Sequence, residues 1–241
     1  MDFRKIDNVS VDCVIFGLGS DSLNILLSKR TLDMFNDNYP VVDDWVVTGH
    51  HIFKSETLDE AADRIFSEIS GFNDVYKIQF RTYGNPSRIQ SDKDLLWVRS
   101  RGGNPRTMTV AYYFLIPMDR FELKQNTLKW FSIKSLPKLG FDHRQLIEDA
   151  YSDLQQKVMV EPVIFDLLRE KFTLNELQVA FELVLNIKID NRNFRKKALS
   201  KSYIVPLEEK RLGVSKKPAK LYMFSKDVYD KLSGEGYIIN I

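Results

Sequence analysis

Residues 49–72 read GHHIFKSETLDEAADRIFSEISGF, and the helix inside this stretch anchors the reading of the chain's first half. Thr57 followed three places later by Glu60 is a capping box, in which each side chain satisfies an N–H of the other's backbone. Leu58, Ala61, Ala62, Ile65, Phe66 and Ile69 then recur at i, i+3, i+4, i+7, i+8 and i+11, which makes one apolar stripe. The pattern predicts a helix over 57–70. Positions i, i+3 and i+4 share a helix face, so Ile65, Glu68 and Ile69 stand together with one carboxylate among them. Glu56 precedes the helix, Arg64 sits mid-way along it, and Gly71 follows it.

Strand signals surround this helix. Residues 11–16 and 23–27 are short aliphatic runs split by Gly17, Gly19 and Ser20, a hairpin pattern. Further strands are expected at 45–47, 75–83, 107–116 and 130–133, before a helix from 143 to about 157 that Asp142 is placed to cap. Residues 86–106 are polar, contain Gly102-Gly103-Asn104-Pro105, and read as a long loop or extended hairpin. His50 and His51 are adjacent. On a strand such neighbours point to opposite faces, which disfavours a shared metal and leaves one of them to line a pocket. His143 has no His/Cys metal spacing around it. No Ser/His/Asp or Cys/His arrangement and no Walker loop is present. Gly17-Leu-Gly19 lacks the third glycine and the following helix of a dinucleotide fingerprint.

The pattern changes after residue 160. Pro162 can open a helix over 163–169. Thr173 with Glu176 is a second capping box, starting a helix with Leu174, Leu177, Phe181, Val184 and Leu185 on one side. Asp190 is an N-cap candidate for the short basic helix NRNFRKKALSK. Strands at 203–207 and 221–224 enclose the basic stretch EKRLGVSKKPAK. Helix, helix, turn, basic helix and hairpin is the order of a winged helix-turn-helix. From Lys188 to Lys226 there are twelve Lys and Arg against three acids, in a chain whose formal net charge is +2, so the remainder is net acidic. Such asymmetry suggests one module that meets a polyanion; a solvated charged face or a basic protein-interaction domain is the plain alternative. On a helical wheel Phe194 and Ala198 share one side, with Leu199 flanking. Arg192, Asn193, Lys196 and Lys197 take the other, and Arg195 lies at its edge. These, with Lys216, Lys217 and Lys220 in a wing that Pro218 stiffens, are the candidate DNA-binding residues.

At 241 residues the chain has room for one large domain or two modest ones. We expect a boundary near 150–160, with 1–155 as an effector-binding domain and 156–241 as a DNA-binding domain. No apolar run approaches the ~20 residues of a membrane span, and the N-terminus lacks a signal-peptide layout. The single cysteine, Cys13, forbids an internal disulfide and sits in an apolar run as a core residue. A cytoplasmic protein without membrane contact is expected.

The stretch 49–72 resembles the Nudix box, Gly-x5-Glu-x7-Arg-Glu-U-x-Glu-Glu-x-Gly-U with U bulky and apolar. Aligned on Glu56, Arg64, Glu68 and Gly71, the apolar places fall on Phe66 and Phe72 and the opening glycine place on His50, just after Gly49. Two carboxylate places hold Ile65 and Ile69. The chain as a whole resembles the Nudix-related transcriptional regulators, through 11–30, 49–72, PRTMTVAYY at 105–113, FDH at 141–143, FTLNELQ at 172–178, DNRNFRKKAL at 190–199 and KKPAKLYMF at 216–224. It departs from them by extra residues around 89–104. The resemblance implies an α+β fold, a Nudix-like α/β/α sandwich followed by a winged helix, in a homodimer that represses transcription from a palindromic operator. It also implies a small effector, a pentose such as arabinose or else ADP-ribose, with Ile65 and Ile69 inclining the choice towards a sugar. No catalytic residue, cofactor or metal is assigned. Asp12, Lys29, Arg30, His50, Glu68 and Arg81 are the polar candidates for the effector pocket. The rival reading is a working Nudix hydrolase that cleaves ADP-ribose-type diphosphates.

Overall fold

The computed structural model describes residues 4–71, 75–89, 91–123, 125–211 and 218–234. Strand β1 (Lys5–Leu18) turns through Gly19–Ser22 into β2 (Leu23–Leu32), the expected hairpin. Strands β3 (Val42–Val46) and β4 (Thr48–Phe53) lead into α1 (Leu58–Ser70); β5 (Lys77–Tyr83), α2 (Asp92–Ser100), β6 (Met108–Pro117) and β7 (Leu128–Ser132) follow. The seven strands form one mixed sheet. Its main order is β3-β2-β1-β6-β5, with β4 also on β1 and β7 also on β2. β1 runs parallel to β6 from Val9↔Met108 to Leu18↔Pro117.

The long β1 alternates its side chains between two cores, as a period of two requires. Val11, Cys13 and Ile15 pack with the α1 stripe Ala61, Ala62, Ile65, Phe66 and Ile69. Val14 and Phe16 face α3 (His143–Val160) on the opposite side. Both expected features of α1 are present: the Thr57–Glu60 capping box, and a left-handed Gly71 (φ 76°) whose N–H closes on Ser67. That conformation favours glycine and explains why this place in the box holds one. Phe72 lies outside the described residues.

Three expectations change. Residues 86–106 are not all loop: Ser91 caps α2 by accepting from the Asp94 N–H. Asp142 occupies the N-cap position of α3 without making a side-chain cap; its carboxylate goes to Arg88 instead. Pro162–Leu167 is a 3-10 helix, not an α-helix. The chain must extend again at once to deliver β8 (Lys171–Phe172) to the second sheet.

The C-terminal part contains α4 (Leu174–Leu185), α5 (Asn191–Leu199), β9 (Ile204–Arg211), β10 (Ala219–Phe224) and α6 (Lys226–Gly234), with a small sheet in the order β8-β10-β9. The capping box at Thr173 and the Asp190 N-cap both form. The architecture is thus an α/β/α sandwich followed by a winged helix. α3 runs unbroken to Val160, past the boundary expected at 155/156. Its Leu154 and Val158 belong to the same apolar cluster as Leu177 and Phe181 of α4. No helix among the described residues is long and apolar enough to cross a membrane.

Candidate functional site

A cavity of about 690 Å³ opens between β1, β2 and β4, the end of α1, the start of α3 and α2, a size typical of small-ligand sites. Asp12, Lys29, Arg30, His50 and Glu68 all line it. Arg81 does not join them. It lies exposed on β5, at the far edge of the sheet, and donates to Asp149 Oδ2 at 2.6 Å beside the Tyr83 hydroxyl. His50 and His51 both reach the cavity wall, where the sequence suggested one. Among the described residues β4 pairs with β1 alone. Burial pushes both imidazoles below their ordinary pKa.

Asp12 is buried at the floor. The backbone of β4 passes so close that a Cβ on Gly49 would sit 1.9 Å from Asp12 Oδ1, so a larger residue there would displace the Asp12 carboxylate. Arg88 answers this charge, reaching Asp12 Oδ2 at 3.3 Å while holding Asp142 through Nε (3.0 Å) and Nη2 (2.9 Å). Such pairing is what makes a buried charge tolerable. His143, the first residue of α3, accepts the Val47 N–H on Nδ1 at 3.0 Å and turns Nε2 towards Asp12 at 3.8 Å. Its burial lowers its pKa, so it is neutral with the proton on Nε2.

Arg30, 1% exposed, is the other buried cation. It donates to Asp44 through Nε and Nη2 and to Asp94 of α2 through Nη2. The guanidinium stacks 4.3 Å from the Phe141 ring and 5.6 Å from Trp97. Asp94 also accepts the Phe141 N–H at 3.1 Å, so α2 is latched to the residue just before Asp142 and α3. Sequence reasoning missed Asp94 and Trp97 because it gave α2 no helix. The available signal was Ser91-x-x-Asp94, a cap pattern. Lys29 pairs with Asp43 at 2.5 Å and lies over Trp45.

The box residues do not converge on a metal site. Arg64 holds Glu56 at 2.7 and 2.9 Å, stacks 4.2 Å from Phe53 and reaches Glu68 at 3.3 Å. Glu56 also accepts the Phe53 N–H at 2.7 Å, and its hydrogen bond from Arg64 lowers its pKa. Ile65 is 1% exposed and Ile69 is buried with it, while Glu68 stands 54% exposed at the cavity rim. Among the described residues no group of three or more His, Cys, Asp or Glu is placed to hold a metal ion.

In the winged helix, α5 divides as its wheel predicts. Phe194 and Ala198 are buried, with Phe194 edge-on to Phe181 at 6.0 Å. Arg192, Asn193, Arg195, Lys196, Lys197 and also Leu199 are exposed. Basic residues nearby are neutralised: Lys171 by Glu209, Lys188 by Glu182 and Arg211 by Glu176. Among the described residues the four cations of α5 form no ion pair. Lys220 is exposed on β10; Lys216 and Lys217 lie outside the described residues.

A sandwich carrying a box of this layout, joined to a winged helix whose basic face makes no ion pair among the described residues, is the architecture of the Nudix-related transcriptional regulators. Residues 164–224 match the NrtR DNA-binding winged helix domain, so its C-terminal domain is of the NrtR type. The chain is similar to the "ADPR responsive transcriptional repressor NtrR" of Acinetobacter baylyi, 26% identical over 231 residues that cover 92% of this chain and 84% of that one. It is similar to the solved structure of Shewanella oneidensis NrtR complexed with a 27mer DNA, with a TM-score of 0.73, 28% identity, and coverage of 92% and 95% of the two chains. The chain is also similar to the ADP-ribose pyrophosphatase of Methanocaldococcus jannaschii, 27% identical over 129 residues, 52% of this chain and 64% of that one.

Proposed function

We propose that this chain is a transcriptional repressor whose winged helix holds operator DNA and whose Nudix-like cavity senses a nucleotide-sugar metabolite, ADP-ribose or a close relative. The observation that carries the DNA reading is α5: four exposed cations without carboxylate partners among the described residues, in front of a buried Phe194–Ala198 anchor. Long cationic donors on a free helix face suit phosphates and base edges of a major groove. A homodimer would set two such helices about one helical turn apart on a palindromic operator. The effector reading rests on the cavity, which sets Lys29, Arg30 and Arg88, each paired with a carboxylate, beside hydroxyl groups and the exposed Arg101. Two relatives whose names carry ADP-ribose support it. They move the choice from a free pentose such as arabinose towards an anionic, ribose-bearing ligand. Effector binding would act through different affinity for DNA-competent and DNA-incompetent dimers. With Ile65 and Ile69 buried and Glu56 held by Arg64, the cavity is a sensor rather than a hydrolase site.

The test is to select genomic DNA fragments on the immobilised full chain and then add ADP-ribose. Enrichment of fragments sharing a palindrome, and a shift of their affinity with ADP-ribose, are the expected results. No enrichment over random fragments would refute the DNA reading. Enrichment without any response to ADP-ribose would refute the effector reading alone.

A further inference from the structure

Among the described residues, four buried side-chain polar atoms have no hydrogen-bond partner: Arg30 Nη1, Thr48 Oγ1, His51 Nε2 and Tyr203 Oη. The first three belong to residues that line the one cavity. Buried polar groups are nearly always paired, so three unsatisfied atoms on residues of one cavity wall point to a ligand that enters between them. Their chemistry is complementary to hydroxyls. Arg30 can only donate and the Thr48 hydroxyl can do both. The His51 imidazole uses its other nitrogen on the Asp7 main chain, which leaves Nε2 as an acceptor.

The roof over this space is α2 and the turn after it, the segment around which the chain departs from the regulators it resembles. Arg101 lays its guanidinium 3.2 Å from the Trp97 ring centroid, and Trp97 in turn stacks on Arg30. Arg30 is neutralised by Asp44 and Asp94. Arg101 makes no ion pair among the described residues; its one side-chain hydrogen bond there goes to the neighbouring Ser100 hydroxyl at 3.3 Å. It also lines the cavity, and the turn brings Gly103 against His51, whose Cε1 lies 3.7 Å from where a Gly103 Cβ would be. A guanidinium braced on an aromatic face, with its donor edge free, is pre-organised for a planar anionic group.

We propose that α2 and its following turn are a cap that reads the charge of the effector: Arg101, braced on Trp97, pairs with a phosphate of the ligand, while hydroxyls of the same molecule meet Thr48 and His51. The cap rests on the effector reading above and adds to it the residues that tell a phosphorylated sugar from a neutral one.

The experiment is calorimetric titration of the full chain with ADP-ribose, ribose 5-phosphate and arabinose, for the wild type, Arg101→Ala, Arg101→Lys and Trp97→Ala. Arg101→Ala is expected to weaken both phosphorylated ligands at least about tenfold, the loss typical of one charge-assisted hydrogen bond. Arg101→Lys should recover part of this, because it keeps charge and loses the fork. Trp97→Ala should weaken them by releasing the brace, and the melting temperature of Arg101→Ala reports that its fold is intact. Wild-type affinity for ADP-ribose in Arg101→Ala would overturn the cap and leave the effector reading standing. A wild type that binds neither phosphorylated ligand, or arabinose alone, would overturn both.

Discussion

Replacing Arg88 with Met should expose how much of the sandwich depends on one buried cation. Its side chain is 5% exposed and bridges Asp12, 10% exposed, to Asp142, 22% exposed. Met approximates the volume of the aliphatic stem, so packing is largely kept and the loss is electrostatic. Removing one partner of a buried ion pair typically costs about 3–5 kcal/mol, because the other charge is left uncompensated. Asp142 is partly hydrated and sits at the N-terminus of α3, where a carboxylate is favoured, so the lower end applies, about 3 kcal/mol. Most of that penalty belongs to Asp12, and adding Asp12→Asn to Arg88→Met should therefore restore about 1 kcal/mol or more. Urea unfolding of the full chain followed by circular dichroism measures both. A loss below about 1 kcal/mol in Arg88→Met, or a double variant less stable than the single one, would refute the view that Arg88 exists to neutralise Asp12.

The remaining expectations concern DNA, catalysis and pH. Each phosphate contact contributes about 0.9 to the slope of log affinity against log salt. Arg195→Ala with Lys196→Ala should therefore flatten that slope by about 1.8 per protomer in fluorescence anisotropy; an unchanged slope would remove α5 from the phosphate backbone. Incubation with ADP-ribose and Mg²⁺ or Mn²⁺ should give no robust turnover, and turnover abolished by Glu68→Gln would establish the hydrolase reading instead. His143 is neutral in the fold with a pKa below its ordinary value of 6.5, burial being the main cause. The unfolded chain then takes up the proton first. His143 contributes stability that is present above pH 6.5 and declines as pH falls below it, with a slope of up to about 1.4 kcal/mol per pH unit. His143→Gln should flatten that part of the stability–pH curve in urea unfolding, and an unchanged curve would mean that the fold does not lower the pKa of His143.

What could be read in advance was local. The two capping boxes, the Asp190 cap and the α1 and α5 stripes depend on residues within four or five places of one another, and they form as their spacing dictates. What could not be read was competition from distant residues. Asp142 has the sequence position of a cap, but Arg88, 54 residues earlier, offers two hydrogen bonds in which both partners are charged, against the single ionised partner of a carboxylate cap. α2 is too polar for a helical stripe, and Arg30, 64 residues away, latches it through Asp94. The candidate pocket was legible in the same measure. Polar residues on β1, β2, β4 and α1 converge because they flank the helix whose start was certain. Arg81 looked equivalent until sheet order placed β5 at the opposite edge. The orphaned Thr48 and His51 atoms carry no sequence signal, because a missing partner is a property of three-dimensional packing alone.

The unbroken run of α3 makes it a lever. At 18 residues and 1.5 Å per residue, it is about 27 Å long. Its first turn is held by Val47 and the Asp12–Arg88 network beneath the cavity, and its later turns touch the winged helix, where Gln155 donates to the Val184 carbonyl at 3.0 Å. A tilt of about 5° about the first turn would carry the far end by about 2 Å, the size of helix shifts that separate alternative arrangements in switching proteins. Packed interiors do not absorb such a displacement by compression. Either the α3–α4 contact repacks or the winged helix travels with it, and in the homodimer proposed above the second response would change the spacing of the two α5 helices.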